Sequence, residues 1–137
     1  MKKFFTLLLV MPFLYCSNDR GANTKNPFLP DYTFAIDINT NLPAYSNLKY
    51  ASNGIYFPDK GVRGLLIFNT GSGYTAFDAA CPNQALGDCS TMTINGINAV
   101  CSCDKAEYSL FTGQGGLQYP MKQYRVEVND QIIRVYN

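Results

Sequence analysis

Apolar and polar residues alternate with a period of two along several stretches of the chain. Residues 32–38 place aromatic or aliphatic side chains at every second position, and residues 124–128 do the same near the other end. Successive side chains of a β-strand point to opposite faces, so this period is typical of a strand with one buried face. We expect the second stretch to return through residues 132–136 after a turn at Asn129-Asp130.

Short apolar runs bounded by Gly, Pro and Asn fill the middle of the chain. They cover residues 54–57, 64–69, 74–79, 91–93 and 97–100. The turn cluster at residues 70–73 predicts a hairpin over 64–79, and Asn95-Gly96 is a strong signal for a second hairpin. No stretch after residue 26 has a convincing helical period. The pattern therefore predicts eight to ten short strands in a sandwich or small barrel.

The composition supports this β prediction and limits the kinds of binding and catalysis that the chain can perform. The 137 residues suffice for one domain, and the 10 Tyr and 9 Phe favour strands. A formal net charge of +1 gives no basic surface for nucleic acid. Histidine is absent, which excludes Ser-His-Asp and Cys-His catalysis. The glycine-rich residues 113–116 lack the Lys and helix of a phosphate loop and are interpreted as a turn. We therefore expect no enzyme activity.

The N-terminal stretch has the features of an export signal. Lys2 and Lys3 precede an apolar run over residues 4–15, which is too short to span a bilayer and fits a signal-peptide core. Cys16 follows at once, as in the lipobox of bacterial lipoproteins, although the bulky Tyr15 departs from that pattern. The alternative is a plain secretory signal with an incidental cysteine.

These features predict three segments. Residues 1–15 form a signal peptide, residues 16–26 a lipidated Cys16 and a flexible tether, and residues 27–137 the β domain. The predicted location is the cell envelope, with lipid holding the chain to the outer membrane or to the outer face of the inner membrane.

Four further cysteines lie in two loops that follow predicted strands. The first loop contains Cys81 and Cys89, and the second contains Cys101 and Cys103. An even number of cysteines in an exported domain indicates disulfides, but four cysteines allow three pairings. A Cys101–Cys103 bridge would close a very tight ring and is the least favourable on strain. The sequence alone does not choose between the other two arrangements.

The two cysteine loops resemble the cluster-binding loops of Rieske proteins. In that family the first loop reads C-x-H with a later Cys, and the second reads C-x-C-H-G, then an aromatic residue and a T-G turn. Here Cys81-Pro82-Asn83 and the run from Cys101 to Thr112-Gly113 follow this register. The stretches 26–30, 41–43 and 76–83 further resemble a group of Rieske-like bacterial lipoproteins. The resemblance implies an all-β, Rieske-like small antiparallel sandwich or barrel with a two-loop cysteine subdomain.

The same resemblance implies roles for the cysteines. Cys81 and Cys101 match the two cysteines that hold one iron of a [2Fe–2S] cluster, and Cys89 and Cys103 match a pair that forms a disulfide in many members. Asn83 and Asp104 stand where the two histidine ligands belong, so this chain lacks the imidazoles that a Rieske centre requires. Tyr108 matches a position that packs beneath the cluster loop.

We interpret the chain as a Rieske-like protein without a standard cluster. The predicted disulfides are Cys89–Cys103 and Cys81–Cys101, and the predicted function is a disulfide-stapled binding or accessory module at the membrane face. Its partners would be the membrane, through the lipid, and a protein at that face.

Two alternatives keep a metal. One is an electron-transfer protein whose [2Fe–2S] cluster is bound by Cys81, Cys101 and an unusual ligand such as Asp104. The other is zinc held by Cys81, Cys101, Cys103 and Asp104, although separated C-x-x-C pairs are lacking.

Beside the loops, Asp78 and Asp88 are interpreted as hydrogen-bonding residues rather than acids. The aromatic residues expected in the core are Tyr74, Phe77, Tyr108 and Phe111.

Overall fold

The described part of the chain is built from nine short strands and one 3-10 helix. The computed structural model describes residues 25–137, so the predicted signal peptide and Cys16 lie outside the described residues. The strands are β1 (Ala35–Asn39), β2 (Gly54–Phe57), β3 (Leu65–Asn69), β4 (Tyr74–Asp78), β5 (Met92–Asn95), β6 (Asn98–Cys101), β7 (Glu107–Ser109), β8 (Gln123–Asn129) and β9 (Ile132–Tyr136). The 3-10 helix spans Pro43–Lys49. Among residues 25–137, no helix has the length and apolarity needed to cross a membrane.

The strands form two antiparallel sheets. The larger sheet has six strands in the order β1-β9-β8-β4-β3-β2, and the smaller has three in the order β5-β6-β7. Both predicted hairpins are present: Leu65 pairs with Asp78 between β3 and β4, and Asn95 pairs with Asn98 between β5 and β6. The prediction of an all-β antiparallel architecture is confirmed.

Strand β3 lies between two hydrophobic cores, which explains its unbroken apolar run. Leu65 and Ile67 face one core, where they pack with the buried Ile133 and Val135 of β9. Leu66 and Phe68 face the other core. A strand covered on both faces needs apolar side chains at consecutive positions rather than at alternate ones.

The second core joins the large sheet to the cysteine region. It contains Phe77 of β4, Ala99 and Tyr108 of the small sheet, and the sulfur-bearing Cys81 and Cys101. Further members are Leu66, Phe68, Ala79, Met92, Leu110 and Met121. The side-chain hydroxyl of Thr75 donates a hydrogen bond to the carbonyl oxygen of Leu110 at 2.6 Å, which ties the two sheets together.

Three local expectations differ from the structure. The first strand begins at Ala35 rather than at residue 32, because its partner β9 ends at Tyr136. The 3-10 helix was not predicted, since its seven residues bury only Leu48 and are too few to show a helical period. Phe111 is 38 % exposed rather than a core residue, although its ring packs against Phe68 in a T-shaped arrangement with ring centroids 5.0 Å apart.

Candidate functional site

The two cysteine loops meet at one end of the molecule. We call residues 79–91 and 101–106 together the cysteine tip. The first loop leaves β4 and returns to β5, and its arms are held by hydrogen bonds from the Cys81 amide to the Ser90 carbonyl (2.9 Å) and from the Met92 amide to the Ala79 carbonyl (2.6 Å). The second loop joins β6 to β7, and the Cys101 amide closes it on the Ala106 carbonyl at 2.9 Å.

Two disulfides join the loops to each other. Cys81 bonds to Cys101 and Cys89 bonds to Cys103, with Cα atoms 5.5 Å and 5.0 Å apart. These are the two predicted disulfides. The resemblance to Rieske proteins implied Cys89–Cys103, and Cys81–Cys101 was inferred because two sulfurs that share an iron in that family lie close together. The first disulfide is buried, because Cys81 and Cys101 are 1 % and 0 % exposed. The second lies at the surface, with Cys89 exposed and Cys103 half-buried.

A buried carboxylate forms the floor of the tip. Asp78 is fully buried, and its Oδ1 accepts hydrogen bonds from the amides of Arg63 (3.1 Å) and Ala80 (2.8 Å). Its Oδ2 accepts from the Val62 amide (2.6 Å) and the Tyr124 hydroxyl (2.7 Å). Burial and the Asp78 charge raise the pKa of Tyr124, so its hydroxyl keeps the proton that it donates. Asp78 is therefore a structural hydrogen-bond acceptor.

Asn83, at one of the two histidine positions, makes three hydrogen bonds with its side chain. Its Nδ2 donates to the Tyr108 hydroxyl and to the Tyr119 carbonyl, both at 2.8 Å. Its Oδ1 accepts from the Tyr119 amide at 2.8 Å. This amide pairs with a peptide group in the way that one β-strand residue pairs with another, and it holds the tip to residues 114–120. Both amide hydrogens of Asn83 are thus used, and its oxygen is bonded to a peptide amide.

Asp104, at the other histidine position, serves its own loop. Its Oδ1 accepts from the Ala106 amide at 2.9 Å, and the side chain is exposed. Lys105 between them adopts a left-handed φ of 61°, as the tight turn requires. Asp88 is also exposed in the first loop.

Tyr108 lies beneath the tip, with 1 % of its surface exposed. Burial raises the pKa of its phenol, and the charge of Asp104 acts in the same direction, while the hydrogen bond from Asn83 lowers the pKa. The net rise keeps the phenol protonated at neutral pH. The nearby Gly115 allows this packing, because a Cβ atom there would lie 2.5 Å from the Tyr108 ring.

The residues at the tip do not fit a Rieske-type cluster. Such a centre needs two thiolates on one iron and two imidazoles on the other. Here the two matching sulfurs, of Cys81 and Cys101, are bonded to each other and buried, while Asn83 is consumed by peptide hydrogen bonds. Within residues 25–137, no three Cys, Asp or Glu side chains are grouped so that they could hold a metal ion.

The polypeptide joins the domain beside the tip. Asn26, predicted to be the last residue of the tether, donates from Nδ2 to the Pro82 carbonyl at 2.7 Å. Among the described residues, contacts of the folded domain thus include Asn26, one residue before the predicted boundary. Between this segment and the start of β8 lies an open groove of about 1480 Å³, whose walls include Tyr119 and Lys122. Lys122 is held there by Asp31 and by the Pro30 carbonyl, the latter at 2.7 Å.

Three residues contribute to the site through contacts that the sequence analysis did not predict. The main-chain groups of Tyr119 are partners of Asn83, although 36 residues separate them. Ser90, which is fully buried, closes the first loop by donating from Oγ to the Gly87 carbonyl at 2.7 Å. Arg63 donates to the same carbonyl at 2.8 Å. The pairings of Tyr119 and Arg63 join distant parts of the chain and therefore depend on tertiary structure, whereas that of Ser90 lies within its own loop.

No protein-family model and no curated protein sequence matches this chain. Among solved structures, it is similar to a chain in the complex of reduced oxygenase and oxidized ferredoxin in carbazole 1,9a-dioxygenase. That match has 17 % identity and a TM-score of 0.53, and covers 74 % of this chain and 92 % of the other. The Rieske-like fold predicted from the sequence is therefore confirmed. At this identity the likeness shows the fold alone.

Two other ferredoxins are less similar in structure. The Sphingomonas yanoikuyae B1 ferredoxin has 15 % identity and a TM-score of 0.47, with 64 % of this chain and 88 % of the other covered. The ferredoxin of carbazole 1,9a-dioxygenase from Nocardioides aromaticivorans IC177 has 15 % identity and a TM-score of 0.46, with 63 % and 86 % covered.

Proposed function

We propose that this protein is a lipid-anchored Rieske-like module that works without an iron–sulfur cluster, as a binding or accessory protein at a membrane face. The observation that carries this proposal is the use of the four tip cysteines: each sulfur is bonded to another sulfur. A thiolate must be free to ligate iron, so a chain in this state offers no ligand from these residues.

The hydrogen bonds around the tip support the same proposal. In place of the two imidazoles are an amide and a carboxylate, and each has a structural task of its own. Asn83 connects the tip to Tyr119, and Asp104 caps its own turn. The two disulfides close stretches with sequence separations of 20 and 14 residues. They hold the loops together where a cluster would otherwise do so.

The cofactor is tested by examining the purified mature chain for colour, bound iron and acid-labile sulfide. The proposal predicts a colourless protein without bound iron or acid-labile sulfide, even after anaerobic purification. In denaturant, the mature chain without lipid should show one reactive thiol, that of Cys16, because the other cysteines are bonded. A coloured preparation with about two irons per chain would establish the electron-transfer alternative instead. Five reactive thiols would overturn the proposal that the disulfides hold the loops together.

The anchor is tested separately. Mass spectrometry of the chain extracted from bacterial membranes should find acyl groups on Cys16, and the Cys16→Ser variant should appear in the soluble fraction. An unmodified Cys16 on a soluble protein would refute the lipid anchor and leave the cofactor result standing. For the binding role, chemical cross-linking in intact cells should capture one recurrent protein with the wild type, and capture should depend on the same anchor.

A further inference from the structure

The N-terminal segment of the described chain is fixed against the cysteine tip rather than at the opposite end. Besides the bond from Asn26 to Pro82, the Asn26 Oδ1 accepts from the Phe28 amide at 2.9 Å. The Phe28 ring then packs edge-on against Tyr119 with centroids 6.1 Å apart, and Leu29 is only 5 % exposed. The path of the chain therefore enters the domain beside the two loops.

The number of residues before this point limits how far the tip can move from an anchor. Cys16 precedes Asn26 by ten positions, and ten residues span at most about 35 Å when fully extended. A domain of 113 described residues has a radius of gyration of about 13 Å. Fully extended, the chain between Cys16 and Asn26 is therefore about as long as the domain is wide, since a sphere of this radius of gyration is about 34 Å across. A bilayer that holds Cys16 lies within about 35 Å of the point where the chain enters the domain beside the tip.

Two leucines are exposed at this end of the molecule. Leu86, in the first cysteine loop, is 41 % exposed, and Leu117, in the neighbouring stretch 114–120, is 49 % exposed. The two stretches adjoin through the hydrogen bonds between Asn83 and Tyr119. The charged side chains of the two loops, of the entering segment and of the arginine bonded to the first loop are Lys25, Arg63, Lys105, Asp88 and Asp104, three positive and two negative. An anionic lipid surface is therefore not repelled.

We propose that the cysteine tip rests on the bilayer that holds the anchor, with Leu86 and Leu117 in its interfacial region. This inference rests on the proposed lipid anchor. A lipid surface is favoured over a protein partner because the short connection already holds the tip within reach of the bilayer. Under that condition the contact is intramolecular, so two exposed leucines suffice where a free domain would need a larger apolar surface.

Single tryptophans test this orientation directly, because the chain has no Trp of its own. The variants are Leu86→Trp and Leu117→Trp at the tip, with Val128→Trp as the matched control. Val128 is 53 % exposed and lies in β8 near the far hairpin. Each mature chain is coupled through Cys16 to a maleimide lipid in vesicles of phosphatidylethanolamine and phosphatidylglycerol. The disulfides leave Cys16 as the reactive thiol.

The expected result is a blue-shifted emission for both tip variants, and quenching by brominated acyl chains at least about three times stronger than for Val128→Trp. Emission from the tip tryptophans as red and as weakly quenched as that of the control would overturn the proposal. Such a result would indicate that the tip contacts a protein rather than the bilayer.

Because the lipid is coupled chemically, a failure of the anchor proposal can be distinguished from a failure of the proposed tip orientation. If cells leave Cys16 without lipid, the anchor proposal fails, yet the vesicle experiment still reports where a chain held at residue 16 directs its tip. Circular dichroism of each variant before coupling confirms that the fold is retained, as expected for substitutions at exposed sites.

Discussion

The two disulfides differ in burial, and this difference predicts unequal contributions to stability. The perturbations are the double variants Cys81→Ala with Cys101→Ala and Cys89→Ala with Cys103→Ala. Their sequence separations of 20 and 14 residues give nearly equal chain-entropy terms, about 3 kcal/mol each. The difference in burial makes the expected losses in the free energy of unfolding unequal. Replacing the fully buried Cys81 and Cys101 also removes two sulfur atoms from the core, at about 1 kcal/mol per atom of methyl size.

We therefore expect a loss of about 5 kcal/mol for the buried pair and about 3 kcal/mol for the surface pair. For a domain of ordinary stability, about 5–15 kcal/mol, the first variant is close to unfolding. The assay is equilibrium urea denaturation under oxidising conditions, followed by far-ultraviolet circular dichroism. Equal losses, or a larger loss for the surface pair, would show that core packing around Cys81 and Cys101 is not what the structure describes.

Three further perturbations concern neighbouring groups. Asp78→Ala leaves three peptide amides and the Tyr124 hydroxyl without their acceptor, so we expect a loss of at least about 3 kcal/mol in urea denaturation. Lys122 lowers the pKa of Asp31 in the folded protein. The stability that this ion pair adds is present above the pKa that Asp31 has in the unfolded chain, and it is lost as the pH falls through the lower pKa of the folded protein. Because Asp31 is 70 % exposed, Asp31→Asn should cost under about 1 kcal/mol at pH 7 and nothing in acid. Asn83→His combined with Asp104→His, made in a reducing cytosol, should bind iron and absorb visible light, unlike the wild type.

Each of these expectations has its own control. Asp88→Ala, at an exposed carboxylate, should leave the urea midpoint unchanged, and an equal loss at both positions would contradict the role given to Asp78. A deficit of Asp31→Asn that persists at low pH would show that Lys122 is not its cause. If the double histidine variant is colourless when made in the reducing cytosol, the replacement of the two histidine ligands is not what prevents the wild type from binding a cluster.

The strand pattern was readable from the sequence wherever apolar and polar residues alternate or a short apolar run lies between turn residues. It located β3, β4 and the Asn95-Gly96 hairpin, because period and turn chemistry are local properties. It did not locate β7, three residues long, which has strand geometry because β6 lies beside it. The 3-10 helix was equally hidden, since Leu48 alone is buried and Pro43 marks only its beginning.

At the tip, the residue types were readable but their contacts were not. The cysteine positions came directly from the sequence, whereas their pairing depended on the resemblance to Rieske proteins. The hydrogen bonds of Asn83 join it to a stretch 36 residues away, and no local pattern encodes such a distance. Asp78 was correctly interpreted as a hydrogen-bonding residue, but its complete burial was visible only in the fold.

The position of the two cystines has a consequence for how the molecule matures. Both belong to the half that contains the small sheet, while the core around Ile38, Leu65 and Val135 has no covalent crosslink among the described residues. Contacts of that core involve no thiol oxidation, whereas the two disulfides of the loop half form only in the presence of an oxidant. Synthesis in a glutathione-rich compartment would thus leave these two bonds unformed until the chain reaches oxidising surroundings.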